Sequence, residues 1–384
     1  MTTIAEESLR KHKEWRGKIE VISRAPITTK EELALAYTPG VAEPCLRIKD
    51  DPDLSYEYTR RGNLVAVITD GTAVLGLGDI GGLAGMPVME GKCALFKEFA
   101  GVDAFPLCIK TKDTSEFIRT VELLSDSFGG INLEDIAAPR CFEIERELKK
   151  RLSIPVFHDD QHGTAVVAAA ALINALKVAE IDIHEATAVI NGAGAAGISV
   201  ARQFLALGVG DVRLVDLCGC LNADETYDNA AHAEISKLTN KKRLRGGLKD
   251  ALVGADVFVG VSKPGVLNPE WLSLMNSRPI VFAMANPLPE IMPDEAKQAG
   301  AFIVGTGRSD FPNQINNLLA FPGIFKGALM SRARDITEEM KVAATYAIAA
   351  VAEEDGLSTE YIIPSPLDRR VADRVAEAVS YCSV

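Results

Sequence analysis

From residue 64 onward this chain is written in short apolar runs, each followed by a longer stretch in which apolar residues return at helical spacing. The runs at 64–69, 104–109, 131–133 and 154–157 predict strands, and the stretches at 114–128 and 139–152 predict helices between them. Strands and helices alternating at these lengths predict parallel strands joined by crossover helices. Residues 164–178 are apolar nearly all round, the pattern of a buried helix. Beyond it the alternation starts again. Residues 186–191, 212–216, 255–260, 280–285 and 301–304 predict strands, with a helix over 195–207 after the first. The chain turns mainly helical from residue 316 and ends on a predicted helix at 367–380, while residues 1–62 predict helices and turns, including a helix over 6–18. The expected fold is therefore a two-domain α/β protein. Residues 1–162 form an N-terminal α/β domain, and 163–384 a Rossmann-type parallel-sheet domain with a C-terminal helical segment. No long linker separates them, so a cleft between the two is expected.

A length of 384 residues suits two domains, and 47% hydrophobic with 24% charged residues is enough for packed cores. The net charge of −12 argues against nucleic acid or an anionic membrane as a partner, since both need a positive surface. The charged stretch at 1–24 lacks the apolar segment of a secretory signal, and no run approaches the ~18 apolar residues of a membrane span. Seven cysteines, an odd number scattered along the chain, predict reduced thiols in a cytoplasm and no disulfide framework.

Candidate chemistry begins at two predicted strand ends. Ile131-Asn-Leu-Glu-Asp135 delivers Glu134 and Asp135, and Pro155-Val-Phe-His-Asp-Asp160 delivers Asp159 and Asp160 ahead of Gly163-Thr164 and the apolar helix. Four carboxylates repel one another unless a cation sits among them, so the pattern predicts a hard divalent metal site. His158 and His162 flank the second pair. Hard ions prefer oxygen, so a structural hydrogen-bonding role is expected for both rings.

Gly192, Gly194 and Gly197 stand in G-x-G-x-x-G spacing, with a predicted strand before them and a helix opening at Ala195-Ala196 after them. Asp216 follows at the end of the next predicted strand. In that context the first glycine serves a tight turn, the second a close approach of backbone to pyrophosphate, and the third close helix–strand packing. Asp216 can accept from a ribose 2′-hydroxyl and would repel a 2′-phosphate, and no basic residue follows it directly, so NAD is favoured over NADP.

A glycine-dense stretch from Gly76 ends at Lys92, read as a loop before an apolar helix. A lysine held near a cation in a low-dielectric cleft can be depressed in pKa and act as a base, whereas a lone lysine is usually a solvated surface group. Tyr37, ahead of Thr-Pro-Gly, sits in a predicted turn that could project its phenol inward, with core packing or surface exposure as the alternatives.

Together these segments resemble the malic enzymes. The resemblance is carried by Tyr37-Thr-Pro, Thr69-Asp-Gly with Leu75-Gly-Leu-Gly-Asp79, Gly91-Lys92, Leu133-Glu-Asp135 and Phe157-His-Asp-Asp160 with Gly163-Thr164. Met284-Ala-Asn-Pro287 and Asn316-Asn317 ahead of Phe321-Pro-Gly323 complete it, in the same order along the chain. It implies oxidative decarboxylation of L-malate to pyruvate and CO2 with hydride transfer to NAD. It implies Mn2+ or Mg2+ held by Glu134, Asp135 and Asp160. Lys92, hydrogen-bonded to Asp159, would be the base and Tyr37 the acid at C3, while Asn286 and Asn317 would hold the substrate carboxylate or the nicotinamide. A cytoplasmic homodimer is expected.

One departure stands out. Larger members place a carboxylate-gripping arginine just after the Asp-Gly turn, where this chain has Ala73. Three alternatives remain: malolactic conversion of malate to lactate with retained NAD, a regulatory protein with a decayed site, and an amino-acid dehydrogenase.

Overall fold

The computed structural model describes residues 3–74 and 76–382; Leu75 of the quoted glycine-rich motif lies outside the described residues. Among these, ten strands form two sheets. The first contains β1 (Leu64–Thr69), β2 (Asp103–Cys108), β3 (Gly130–Leu133) and β4 (Val156–His158), in the order β2-β1-β3-β4 and all parallel. The second contains β5 (Thr187–Asn191), β6 (Asp211–Asp216), β7 (Gly219–Cys220), β8 (Val257–Gly260), β9 (Ile280–Ala283) and β10 (Ile303–Thr306). Its order is β10-β9-β8-β5-β6-β7, parallel except for the short antiparallel β7. β7 was not predicted: a two-residue strand carries no periodicity to detect.

β1, β3, β4, β8 and β9 are buried on both faces, as covered parallel strands require. The helix Asp159–Ala179 carries the chain from the first sheet to the second. By length and composition it could cross a membrane, a stretch more apolar than the sequence reading allowed. However, 78% of its apolar window is buried inside the protein, so it is a core helix. It packs against the helices Ala195–Ala206 and Glu338–Asp355.

Three local assignments change. The linking helix starts at Asp159, several residues before the predicted start, so Asp159 and Asp160 occupy its first turn and do not sit on a strand end. Carboxylates there face the positive end of the helix dipole, which favours the early start. The segment read as a loop before Lys92 is itself a helix, Gly82–Leu95, with Lys92 near its C-terminal end. Its glycines serve contact: a Cβ at Gly82 would come within 3.0 Å of the Cys108 side chain, and one at Gly85 would touch Val74. Third, the helix predicted over 6–18 runs over Ile4–Trp15, and neither it nor Lys30–Ala36 nor Ala42–Asp50 contains a buried residue.

Candidate active site

Register decides which carboxylates meet. Leu133 on β3 faces His158 on β4, so the residues that follow each strand emerge side by side. The Glu134 N–H donates to the Ile68 carbonyl at 2.9 Å, extending the β1–β3 ladder to the site. Asp135 then adopts a left-handed backbone, φ 54°, which an aspartate tolerates better than most residues. Two hydrogen bonds hold it there. Its N–H donates to Asp160 Oδ2 at 2.8 Å, and its carbonyl accepts from the Ala73 N–H at 2.9 Å. Ala73 thus contributes backbone to the site and no charge.

Glu134, Asp135 and Asp160 each present an oxygen within 4.8 Å of the other two. Lys92 reaches in from the neighbouring helix, with Nζ 2.5 Å from Asp159 Oδ2 and 3.0 Å from Glu134 Oε1, over the Phe321 ring at 4.1 Å. Asn317 arrives from the C-terminal half and donates to Asp159 Oδ2 at 2.6 Å. Gly163 permits this: a Cβ there would lie 1.8 Å from Asp159 Oδ1, so any side chain would displace the carboxylate.

Four carboxyl groups face one ammonium in a largely buried space, more acid than one lysine can balance. Burial pushes the Glu134 carboxyl up, with Asp160 adding to the rise and Lys92 opposing it. Burial likewise pushes Asp159 up to about 7 and Asp160 up to about 6, in each case against the pull of Lys92. Lys92 is the correction here. Burial alone would lower its pKa, but Asp159, Glu134 and Asp160 outweigh burial and hold it above the ordinary lysine value. With those three carboxylates as its neighbours the ammonium stays charged. The oxygen-only donor set and its excess negative charge fit a hard divalent ion.

His162 is committed elsewhere. Its Nε2 lies 2.9 Å from Glu145 Oε1, and Lys341 Nζ approaches its Nδ1 at 3.2 Å. Glu145 also accepts from the His158 N–H at 3.1 Å, so one buried carboxylate braces both sides of the Asp159–Asp160 turn. Burial alone would raise Glu145; His162, Lys149 and His158 outweigh it and bring the carboxyl down to about 2. Neither Glu145 nor Arg140, which donates to Asp70 Oδ2 at 2.8 Å, was singled out from the sequence. The Glu145 position inside a helix carries no motif, and its only signal is an acid among apolar positions.

The second sheet carries the glycine turn. Its strand order reverses at β5, where the Gly192–Gly197 turn begins, the usual place for a ligand in an open α/β sheet. Gly192 has φ 116°, and a Cβ there would meet the Val261 carbonyl at 2.6 Å. A Cβ at Gly197 would meet the Gly192 carbonyl at 1.7 Å, while at Gly194 nothing lies within 4 Å. The three glycines thus serve a strained turn, an open face and a tight contact. Ala195 and Ala196 open the helix Ala195–Ala206 with Gly194 as its cap, pointing free N–H groups at the open face. Asp216 closes β6, and its Oδ1 accepts from the backbone of Cys218 and Gly219. Asn286 is exposed, with its carbonyl against Gly76 and its amide against Gly307, at the seam of the two halves and outside the carboxylate cluster.

Family models agree with this division. One described as the malic enzyme N-terminal domain matches residues 16–149, and one described as the malic enzyme NAD binding domain matches residues 161–384. The chain belongs to the malic enzyme family. This malic enzyme is 55% identical to a bifunctional malic/malolactic enzyme of Bacillus subtilis, over 98% of this chain and 92% of that protein. It is 56% identical to an NAD-dependent malic enzyme of Geobacillus stearothermophilus, over 94% of this chain and 76% of that one. Among solved structures, an NAD-dependent malic enzyme of Thermotoga maritima aligns with a TM-score of 0.94 at 50% identity, over 97% of this chain and 98% of that chain.

Tyr37 is not brought to the cluster. It caps the helix Lys30–Ala36 and is 67% exposed. Of the placements left open for this turn, the exposed one is found: it lies on the unburied N-terminal segment of this malic enzyme, and local geometry alone does not bury the ring.

Proposed function

We propose that this enzyme oxidises and decarboxylates L-malate to pyruvate and CO2, with hydride transfer to NAD, using Mn2+ or Mg2+ held by Glu134, Asp135 and Asp160. The observation that carries the reading is Lys92, bridged between Asp159 at 2.5 Å and Glu134 at 3.0 Å beside three converging carboxylates. When bound, the divalent ion supplies a Lewis acid for the substrate hydroxyl and for the charge that develops as CO2 leaves. Glu134, Asp135 and Asp160 would hold that ion, and Lys92, no longer facing their full negative charge, would take the hydroxyl proton. Asp159 holds the Lys92 ammonium in line, and Asn317 holds Asp159. NAD is proposed on Gly192, Gly194, Ala195, Ala196, Gly197 and Asp216, with Asn286 and Asn317 on the substrate and nicotinamide side. Tyr37 is proposed as the acid that protonates C3, in its own cleft or in its partner's.

The partner is proposed to be a second copy. The N-terminal segment exposes Ile4 at 91%, Val21 at 84% and Leu35 at 77%, an apolar surface that a homodimer interface would cover. Seven free cysteines suit a reducing cytoplasm, and the net charge of −12 does not suit nucleic acid or anionic membrane.

Near-ultraviolet absorbance with L-malate and Mn2+, with NAD or NADP, and with or without EDTA, tests the reading. Metal-dependent NADH formation with pyruvate as co-product is expected; malate consumption unaffected by EDTA would overturn it. The Bacillus subtilis relative's name supports a second reading, malolactic conversion, which predicts lactate without net NADH.

A further inference from the structure

The dinucleotide end of the chain holds a histidine outside the glycine motif. His232 lies on the short helix Ala230–Ile235, and its Nε2 stands 2.8 Å from the carbonyl oxygen of Ala193, inside the Gly192–Gly197 turn. A carbonyl can only accept, so Nε2 carries the proton and donates. The same ring turns Nδ1 toward Asp216, 3.8 Å from Oδ2. That is too long for a hydrogen bond but close enough to wall one side of the carboxylate. Asp216 Oδ1 is already engaged, accepting from the Cys218 N–H at 2.7 Å and the Gly219 N–H at 3.0 Å, so Oδ2 is the oxygen available to a ligand.

His232 is itself braced. Tyr227 meets it edge-on, with ring centroids 6.1 Å apart at 80°. The Tyr227 hydroxyl accepts from the Asn222 N–H at 2.7 Å and donates to the Asn222 carbonyl at 3.1 Å. The consequence reaches the phosphate site. In a trans peptide the Ala193 carbonyl and the Gly194 N–H point in opposite directions, so anchoring the carbonyl on His232 aims that N–H the other way. At Gly194 an added Cβ would meet nothing within 4 Å, which leaves room for a ligand to approach the backbone.

We propose that His232 is a cofactor-positioning residue. It locks the phosphate-facing turn and the ribose-facing Asp216 into one frame, and so contributes to the choice of NAD over NADP. The inference rests on the NAD-dependent reading above and adds a residue to it.

The test uses full-length wild type, His232→Ala, His232→Gln, Asp216→Ala and the double variant Asp216→Ala/His232→Ala. Dissociation constants for NAD and NADP, KM and kcat with each, and Tm are measured. His232→Ala is expected to raise Kd and KM for NAD about three- to tenfold with kcat within about twofold, the range of one net hydrogen bond. The NAD-to-NADP preference should fall about threefold, and this fall should vanish in the Asp216→Ala background because the effect acts through that carboxylate. His232→Gln, whose amide can still donate to the Ala193 carbonyl, should restore NAD affinity to within about twofold of wild type. An unchanged NAD Kd and preference in His232→Ala would overturn the proposal. So would a loss of Tm and kcat with Kd unchanged, or a preference shift that persists without Asp216. Wild-type protein that binds neither dinucleotide would instead overturn the NAD-dependent reading itself, and with it this one.

Discussion

At the carboxyl ends of β1, β3 and β4 the chain gathers four carboxylates and a lysine largely out of water, whereas at the end of β5 it offers three glycines and bare backbone. The first region is built from side chains that arrive from separate segments: Lys92, Glu134–Asp135, Asp159–Asp160 and Asn317. Each is a charge or a donor that the others need, and removing one leaves a buried partner uncompensated. The second region is built within one contiguous turn, and its donors are backbone amides, which substitutions other than proline leave in place. The side-chain site should therefore be sensitive to single changes in chemistry. The backbone site should respond mainly to changes in space and in Asp216, the acid proposed to read the ribose.

Lys92→Ala is the strongest way to test that contrast. It should lower kcat for malate oxidation by about a thousandfold or more while leaving NAD affinity within about twofold, as steady-state kinetics beside a cofactor titration would report. A kcat near wild type would remove Lys92 from the proposed chemistry. Next in size is Asp160→Asn, which removes one oxygen charge and alters the hydrogen bond from the Asp135 N–H. Mn2+ affinity is expected to fall about tenfold to a hundredfold, read by titrating Mn2+ into metal-free protein; an unchanged isotherm would place the ion elsewhere.

Gly194→Ala sharpens the comparison from the other side. The new methyl meets no protein atom, so Tm should stay near wild type. The methyl nevertheless occupies the space that pyrophosphate is proposed to use, and NAD affinity should drop about tenfold. A large fall in Tm, or full NAD affinity, would contradict the open-face assignment. Asp216→Ala should have the smallest effect, eroding the preference for NAD over NADP by about fivefold to tenfold with little change in kcat. If the ratio of KM values does not move, the discriminator lies outside this carboxylate.

The same contrast explains what could be read from the sequence. The glycine turn was legible as a strand–turn–helix unit because its pattern is local: Gly192 and Gly194 lie between β5 and a helix, Gly197 in the first turn of that helix, and Asp216 ends β6. The paired acids were legible as pairs, since Glu134–Asp135 and Asp159–Asp160 each end an apolar run. Lys92 was legible as a residue, but not the helix that carries it nor the acids around it. The stretch before it is helix, its glycines serve close packing, and its charge is held up by carboxylates. Glu145 and His232 were invisible as partners, because one braces the acid pair from another helix and the other braces the glycine turn from a loop-borne helix. Tyr37 shows a different gap: its motif is present, yet the single chain leaves it on an exposed segment.

By itself the sequence determined the two alternating α/β units, the order of the strands along the chain, the glycine turn with its acid, and the carboxylate pairs. All of these follow from periodicity and adjacency. The tertiary structure alone decided that Leu133 faces His158, which sets the two acid pairs side by side. It also decided that Lys92 enters from a helix to meet Asp159, and that Asn317 crosses from the other half to hold that same carboxylate. The physical reason is range. Local pattern reports which face a residue shows, but the field at a buried charge depends on neighbours distant in sequence, and only packing brings them within reach.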